Sequence, residues 1–571
     1  MNWGRLSFAV AVLAILAVAA ALRFPRLDLR PMHADEANQA VKTARLYETG
    51  EYDYDATDHH GPSLYWLTLP SLAASGVKGL ADSSEAQYRI VPVLFGLGLI
   101  GLLLLFTDGL GRTAVAVAGL LTAISAAMVF YSRYYIQEML LVFFTMAALG
   151  CGWRYFRSGR LAWILAAGAA IGMMHATKET WVLAAAAAVV AGGLTWCASR
   201  LPTRQESPRT ASGGYSVASE YLPLRPFRRW CYFAAAVLAA CLVAAAFFSM
   251  FGKNWHAPLD SIMAYANYFR RGSRPGEHSE PWYYYLQILF ANRPAKHIFW
   301  SEGFIAALAL VGAGVSFGSM AKPQSRCAIF RQFLSFYTVF LVVLYSVISY
   351  KTPWCALSFL SGMILLAGVG AAAILRAAGK WPLKALVAVV LAAGAAHLGW
   401  QAWQLNFDAR ELHVAVKTIA TDGWQAYRSG ADPRFVADPR NPYVYAHTPM
   451  GLPRLAQRLD RLRQRMPQGR EVTIHVVVKD NYWPLPWYLR KFDSESVYYW
   501  LDPAQWQKDL KHFPLPDVLI LSADVDSPEL AARLSGYNGQ IMESLRPGVM
   551  VRIYVRKELW PLILESRVST R

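Results

Sequence analysis

Met32-His33-Ala34-Asp35-Glu36-Ala37 follows closely after the first long apolar run of the chain. Two adjacent carboxylates at the edge of a bilayer are costly to place, and ionisable residues in such positions tend to be functional. The alternative is a solvated loop or a helix N-terminus, where acidic side chains are favoured in any case. A carboxylate here could take a proton from an acceptor hydroxyl or hold a cation. Asp35 and Glu36 are therefore the candidate catalytic residues.

The composition around this stretch predicts a polytopic α-helical membrane protein. Of the 571 residues, 55% are hydrophobic and only 16% are charged. The net charge of +18 lies mainly in a few loops, as expected beside an anionic membrane surface, and no basic-aromatic array indicates nucleic-acid binding. The six cysteines show no metal or disulfide spacing. About eleven apolar runs predict spans near residues 7–22, 88–106, 114–130, 139–156, 161–174, 181–196, 231–251, 303–320, 333–350, 354–375 and 385–403.

One more apolar segment, 63–77, decides the topology. It is short and aromatic and contains Pro70, so it either spans the membrane or lies in the interface. If it is interfacial, the short basic loops and the linker 197–230 all fall on the cytoplasmic side. The long basic loop 252–302 opposes this choice, but long loops count less. We therefore expect an inner (plasma) membrane protein with an outer loop at 25–87 and a transmembrane domain at 1–404.

After residue 404 the pattern changes to alternating short strands and helices. Residues 472–478, 517–522 and 549–555 predict buried strands, whereas 411–428, 452–465 and 528–534 predict helices. This alternation is typical of a small α/β domain. The topology predicts that residues 405–571 form it outside the membrane, and no glycine-rich nucleotide motif occurs in it.

Several polar groups are expected on the same outer face as the acidic pair. Three outer helix ends each supply a cation, which is more than membrane anchoring requires and suggests an anionic ligand. The alternatives stay open: a polar turn, an Arg–Glu structural pair, mutual neutralisation of Lys178 and Glu179, snorkelling lysines or an interfacial aromatic belt. The candidate substrate-binding residues are His59, His60, Arg133, Glu138, Lys178, Glu179, His278, Trp282, Tyr283 and Lys351.

The order of these motifs resembles the GT-C superfamily of membrane glycosyltransferases, which includes the protein O-mannosyltransferases and the aminoarabinose transferases. The closer resemblance is to prokaryotic membrane proteins described as flippase-activity-associated. The resemblance covers most of the chain and rests on His33-Ala34-Asp35-Glu36-Ala37, His60-Gly61-Pro62, Lys178-Glu179, His278 with Pro281-Trp282-Tyr283-Tyr284, Lys351-Thr352-Pro353-Trp354, Asn441-Pro442-Tyr443-Val444-Tyr445-Ala446-His447-Thr448 and Trp483-Pro484-Leu485-Pro486-Trp487-Tyr488.

The resemblance implies an inverting transferase that takes a hexosyl or pentosyl group from a polyprenyl-phosphate donor at the outer face, with Asp35 as the base and Glu36 beside it. The aminoarabinose transferases carry Lys before the Pro that opens the interfacial helix. This chain has His59-His60-Gly61 there, so phosphate binding would depend on a histidine or pass to Lys351 and Arg133. No cofactor is implied, a divalent metal is optional, and the acceptor can be a glycan, a lipid or a protein.

Two other function classes compete with this one. A non-catalytic protein that binds lipid-linked sugar and assists its flipping would use the same cations without needing a base. A solute transporter predicts internal repeats and polar groups near the middle of the membrane. The spans show few charges and no obvious repeat, so the transporter ranks last.

Overall fold

A computed structural model describes most of the chain. The described residues are 3–57, 60–200, 226–272, 279–295, 298–318, 325–408, 436–467, 470–479, 481–510, 514–525 and 528–565. Two of the candidate residues, His59 and His278, lie outside them, as do most of the predicted linker and the predicted helix 411–428.

Long apolar helices dominate the first 407 residues. In hydrocarbon every backbone polar group must be bonded within the segment, and a helix achieves this. Their bounds are Trp3–Arg23, Ala34–Thr49, Ser63–Ala74, Glu85–Leu102, Thr107–Leu110, Arg112–Ile124, Ala126–Ser132, Glu138–Ser158, Leu161–His175, Trp181–Ser199, Pro226–Phe248, Ala257–Gly272, Tyr284–Phe290, Gly303–Gly318, Arg326–Val347, Ala356–Ala377 and Trp381–Phe407. A two-stranded ribbon, Asn292–Ala295 with Ile298–Trp300, interrupts them.

The described residues support eight or nine of the eleven predicted spans. Eight helices among the described residues are long and apolar enough to cross a membrane, and a bent pair makes a ninth. Two shorter apolar helices, Leu161–His175 and Gly303–Gly318, correspond to the remaining two predicted spans. The segment predicted to be interfacial forms the helix Ser63–Ala74 of 12 residues. Such a helix is about 18 Å long, which is less than the ~30 Å hydrocarbon core.

The bent pair consists of Arg112–Ile124 and Ala126–Ser132, which meet at an angle of 61°. Ser125 caps the second half, and the buried carboxylate of Glu302 accepts hydrogen bonds from Ser125 Oγ (2.8 Å) and the Ala127 N–H (2.9 Å). An acidic group at a helix N-terminus satisfies donors that the break exposes. This break brings the chain to Arg133.

Small residues allow the apolar helices to pack closely. A Cβ on Gly312 would lie 2.0 Å from the carbonyl oxygen of Leu366, and one on Gly370 would lie 2.0 Å from that of Leu308. Helices Gly303–Gly318 and Ala356–Ala377 therefore touch through their backbones. In a membrane, where apolar burial gives little driving force, such close van der Waals contact holds helices together.

The C-terminal part contains a five-stranded mixed sheet. Its spatial order is Val497–Trp500, Ile474–Val477, Val518–Ser522, Val549–Arg556, Tyr537–Arg546. The first three strands are parallel to one another, and Val549–Arg556 is antiparallel to both of its neighbours. The two central parallel strands are buried along their whole length, as strands covered on both faces are. The helices here are Gly451–Arg465, Leu485–Tyr488, Pro503–Asp509, Pro528–Arg533 and Trp560–Glu565.

By compactness the residues group into two units. The first contains Met1–Pro25, Asp53–Leu67 and Arg89–Asn406; the second contains Arg26–Tyr52, Thr68–Tyr88 and Phe407–Arg571. The acidic pair thus groups with the C-terminal part, and the cationic candidates group with the helical part. The predicted boundary at residue 404 stays a prediction about where an independent domain begins.

Candidate active site

The acidic pair occupies the first turn of the helix Ala34–Thr49. His33 is its N-cap: its Nδ1 accepts the Asp35 N–H at 3.0 Å, and its own N–H donates to Glu36 Oε2 at 3.1 Å. This reciprocal arrangement is a capping box, here with histidine in the place where serine or threonine is usual. Gly50 ends the helix in the left-handed conformation, with φ at 69°.

The two carboxylates of the pair differ sharply in environment. Glu36 is fully buried and its carboxylate is bonded within the cap. Asp35 has a side chain that is 51% exposed, with one carboxylate oxygen 3.9 Å from His33 Nδ1. Asp35 is therefore the member of the pair that a substrate can reach, while Glu36 holds the helix start together.

His33 makes this helix start sensitive to acid. Burial lowers the pKa of His33, partly offset by the carboxylates of Asp35 and Glu36. Because Nδ1 accepts a hydrogen bond, the neutral ring is the form that caps the helix. A histidine whose pKa is lower in the folded than in the unfolded state stabilises the fold above the unfolded pKa, and this stability is lost as the pH falls.

We therefore expect the free energy of unfolding to fall as the pH is lowered below about 6.5, and His33→Asn to remove part of that dependence. Asparagine is a good N-cap that does not titrate. The difference between the two proteins would reach roughly 1 kcal/mol at acidic pH, measured as unfolding midpoints in detergent. If the unfolding midpoints of both proteins changed equally with pH, His33 would not be the group that makes the helix cap sensitive to pH.

A second constellation forms in the first unit, where His60-Gly61-Pro62 lies against the loop Ala176–Thr180. A Cβ on Gly61 would lie 2.3 Å from both the carbonyl carbon and the carbonyl oxygen of Ala176, so only glycine allows this approach. The Ser63 N–H donates to the same carbonyl at 2.9 Å. The close contact brings His60 Nδ1 to 2.9 Å from Glu179 Oε2.

The neighbouring Lys178 pairs with a different carboxylate. It forms a buried ion pair with Glu138, the first residue of helix Glu138–Ser158. Burial lowers the pKa of Lys178, but the charge and hydrogen bond of Glu138 raise it by more, so the net shift is upward. Burial raises the pKa of Glu179, but the charge and hydrogen bond of His60 lower it, and the net shift is downward. Lys178 and Glu179 thus each stay charged with a separate partner and do not simply neutralise one another.

Arg133 contacts the end of the first helix. Its Nη1 donates to the carbonyl oxygens of Arg23 (2.8 Å) and Pro25 (2.6 Å). A guanidinium at this point complements the carbonyl-rich end of helix Trp3–Arg23. The sequence left open a structural pair between Arg133 and Glu138; the structure instead pairs Glu138 with Lys178. The expected phosphate contact of Arg133 stays a prediction.

Lys351 has a third kind of environment. Its ammonium donates to the carbonyl oxygens of Glu280 (3.1 Å) and Ile348. Within the part of the chain that the structure describes, it forms no ion pair with a carboxylate. Burial lowers the pKa of Lys351, opposed by the charge of Glu280. Lys351 is thus a buried cation whose hydrogen bonds go to neutral oxygens.

The segment beside Lys351 carries the two aromatic candidates. Ser279 pairs with Tyr350, and the Glu280 N–H donates to the Ser349 carbonyl at 3.0 Å, which fixes this segment beside the lysine. Trp282 is 64% exposed and Tyr283 is 47% exposed. Exposed aromatic faces of this kind suit either a sugar ring or a membrane interface.

The site residues therefore fall into groups that the sequence anticipated only in part. The structure joins His60 to Glu179 and Glu138 to Lys178, and it places Lys351 next to the segment of Trp282 and Tyr283. No group of three or more potential metal ligands occurs among the residues described. Sequence reasoning missed the capping role of His33 and the buried Glu302; the spacing from His33 to Glu36 was the available signal for the cap.

Residues 13–256 match the family model described as dolichyl-phosphate-mannose-protein mannosyltransferase. No curated protein matches the chain. ArnT from Cupriavidus metallidurans, solved bound to undecaprenyl phosphate, is 16% identical with a TM-score of 0.58, over 96% of this chain and 98% of that one.

A second solved structure shares the fold. The archaeal oligosaccharyltransferase AglB from Archaeoglobus fulgidus, in complex with an inhibitory peptide and a dolichol-phosphate, is 11% identical with a TM-score of 0.52. The alignment covers 100% of this chain and 78% of that one. The chain therefore shares the GT-C fold of these two structures and is a multi-pass membrane protein.

Proposed function

We propose that the chain transfers a sugar from a polyprenyl-phosphate donor to an acceptor hydroxyl in a single inverting displacement, with Asp35 as the general base. One solved structure of this fold contains undecaprenyl phosphate and another contains a dolichol-phosphate, which supports a donor of that class. The family model matched by residues 13–256 is named for a mannose donor of the same kind.

The difference between the two adjacent acids carries the assignment of the base. A general base must reach the proton that it removes. Glu36 is buried in the helix cap, whereas the Asp35 side chain is half exposed. In the proposed step, Asp35 removes the hydroxyl proton as the acceptor oxygen attacks the anomeric carbon. The bond from that carbon to the donor phosphate breaks with its electrons, and the lipid phosphate leaves.

Lys351 is the cation that we assign to the leaving phosphate. Lys178 is neutralised by Glu138 and His60 is paired with Glu179, so each of the two already has an acidic partner within the protein. Lys351 donates to two carbonyl oxygens and forms no ion pair among the described residues, although the charge of Glu280 acts on it, so no direct carboxylate partner neutralises it. Arg133 and His60 are secondary candidates, and Trp282 and Tyr283 would stack on a sugar.

Replacing Lys351 with Met should therefore lower donor turnover by about 10- to 100-fold, since a hydrogen bond to a charged group is worth about 1.5–3 kcal/mol. The measurement is consumption of undecaprenyl-phosphate-linked mannose, glucose or arabinose by purified protein in proteoliposomes. Lys384→Met, an exposed lysine at the start of helix Trp381–Phe407, is the matched control. Equal turnover in both variants would remove Lys351 from the site.

The proposed location follows from loop charge. The basic short loops favour a cytoplasmic side opposite to Asp35 and the C-terminal part. We therefore infer a plasma (inner) membrane protein whose residues 405–571 form a domain outside that membrane. The leaving phosphate is already a good leaving group, so the reaction does not require a metal, although a divalent cation would be compatible with it.

A further inference from the structure

Two motifs of the C-terminal part meet at one peptide of the second unit. Tyr488 ends the stretch Trp483-Pro484-Leu485-Pro486-Trp487-Tyr488, and its hydroxyl accepts the Met32 N–H at 2.8 Å. Thr448 ends the stretch 441–448, and its Oγ1 donates to the Met32 carbonyl oxygen at 2.8 Å. Both backbone polar groups of Met32 are thus bonded to side chains from more than 400 residues away, and Met32 itself is fully buried.

Met32 is directly connected to the acidic helix. The next residue, His33, is the N-cap, and its ring accepts the Asp35 N–H. Fixing the Met32 peptide therefore fixes where the cap lies and the direction in which the first helical turn leaves it. Because Asp35 is in that turn, these two hydrogen bonds contribute to the position of its exposed carboxylate.

The short helix that carries Tyr488 is itself firmly held. The Trp487 indole donates to Glu85 at 3.3 Å and packs edge-on against Tyr88, with ring centroids 5.5 Å apart. Arg490 lies over the Trp487 ring at 3.9 Å and donates twice to the Ser83 carbonyl oxygen, at 3.1 and 3.2 Å. Tyr488 therefore extends from a rigid support, as a positioning residue should.

We propose that Tyr488 and Thr448 are positioning residues for catalysis: by clamping the Met32 peptide, the C-terminal part of the chain holds Asp35 where it can act as the base. This inference rests on the proposed function, because it concerns the geometry of the same base. Reaction rates fall steeply when a reacting group moves by about 1 Å, so the loss of either bond should affect turnover more than donor binding.

The test compares Tyr488→Phe, Thr448→Val and their combination in the full-length protein in proteoliposomes. Each single change should lower kcat for an undecaprenyl-phosphate-linked sugar by about 3- to 10-fold and the pair by more, with the KM for that donor changed less than about twofold. Amide hydrogen exchange of residues 33–37 should become about tenfold faster in the double variant, because the local opening becomes easier.

Two further variants separate positioning from general stability. Thr448→Ser keeps the hydroxyl and should restore kcat and slow exchange. Tyr537→Phe removes a tyrosine hydrogen bond to the Pro516 carbonyl in the same part of the chain, but not at Met32, and should alter neither readout.

The inference is overturned if the double variant keeps wild-type kcat, whether or not its exchange is faster, or if Tyr537→Phe gives the same losses. Failure of the proposed function has a different signature. In that case Asp35→Asn would consume donor as fast as wild type, while exchange at residues 33–37, measured without donor, would still report on the clamp.

Discussion

Asp35→Asn should lower sugar transfer by about 10²- to 10⁴-fold, which is the usual contribution of a positioned general base. Asparagine has the same shape and can still accept a hydrogen bond, but it takes up no proton. The exposed position of the side chain makes a large loss of stability unexpected. The measurement is donor consumption in a single turnover, together with the affinity for undecaprenyl phosphate, which should stay within about twofold because the base acts on the acceptor.

Two matched variants sharpen this prediction. Glu36→Gln removes one negative charge from the same helix turn, but glutamine also serves in a capping box, so transfer should fall less than about tenfold. Asp28→Asn removes an exposed carboxylate seven positions before Asp35 and should have no effect. If Glu36→Gln abolished transfer while Asp35→Asn did not, the roles of the two acids would have to be exchanged.

Lys178→Met should destabilise the protein by about 3–5 kcal/mol, because it leaves the buried Glu138 carboxylate without its cation. The charged pair lies where helix Glu138–Ser158 begins, next to the loop that receives Gly61. Loss of the pair should therefore also loosen the contact between His60 and Glu179. The unfolding midpoint in detergent measures the first effect, and hydrogen exchange of the loop Ala176–Thr180 measures the second.

The double variant Lys178→Met with Glu138→Gln is the control for this prediction. It removes both charges, so most of the lost stability should return, since replacing a whole buried pair is far less harmful than breaking it. A single variant that unfolds at the wild-type midpoint would show that the ion pair is not structurally important. A double variant no more stable than the single one would point to packing by the lysine stem.

The sequence predicted the helical part well because long apolar runs have few alternatives in a membrane. Its local pattern did not reveal the break at Ser125, since the acid that caps the second half, Glu302, is 177 residues away. The partners of the buried charged residues were equally hard to predict from the sequence. Neighbours in sequence suggested Lys178 with Glu179, whereas the helix ends bring Lys178 to Glu138 and His60 to Glu179.

In the C-terminal part, the buried strands were predicted and the edge strands were missed. Ile474–Val477 and Val518–Ser522 are continuous apolar runs, which identify buried parallel strands. Val497–Trp500 and Tyr537–Arg546 lie at the two edges of the sheet, where burial is partial and the pattern weaker. The bonds of Tyr488 and Thr448 to Met32 join residues more than 400 positions apart, and no local pattern encodes them.

If the proposed function holds, this chain consumes a lipid-linked sugar with Asp35 as the base. The most direct measurement is mass spectrometry of lipid extracts from cells that carry the wild-type chain, the Asp35→Asn variant or no chain. We expect the same polyprenyl-phosphate-linked sugar to accumulate in the variant and in the deletion, and not in the wild type. Accumulation in the deletion alone, with the variant indistinguishable from wild type, would contradict it and favour a non-catalytic role in handling the lipid-linked sugar.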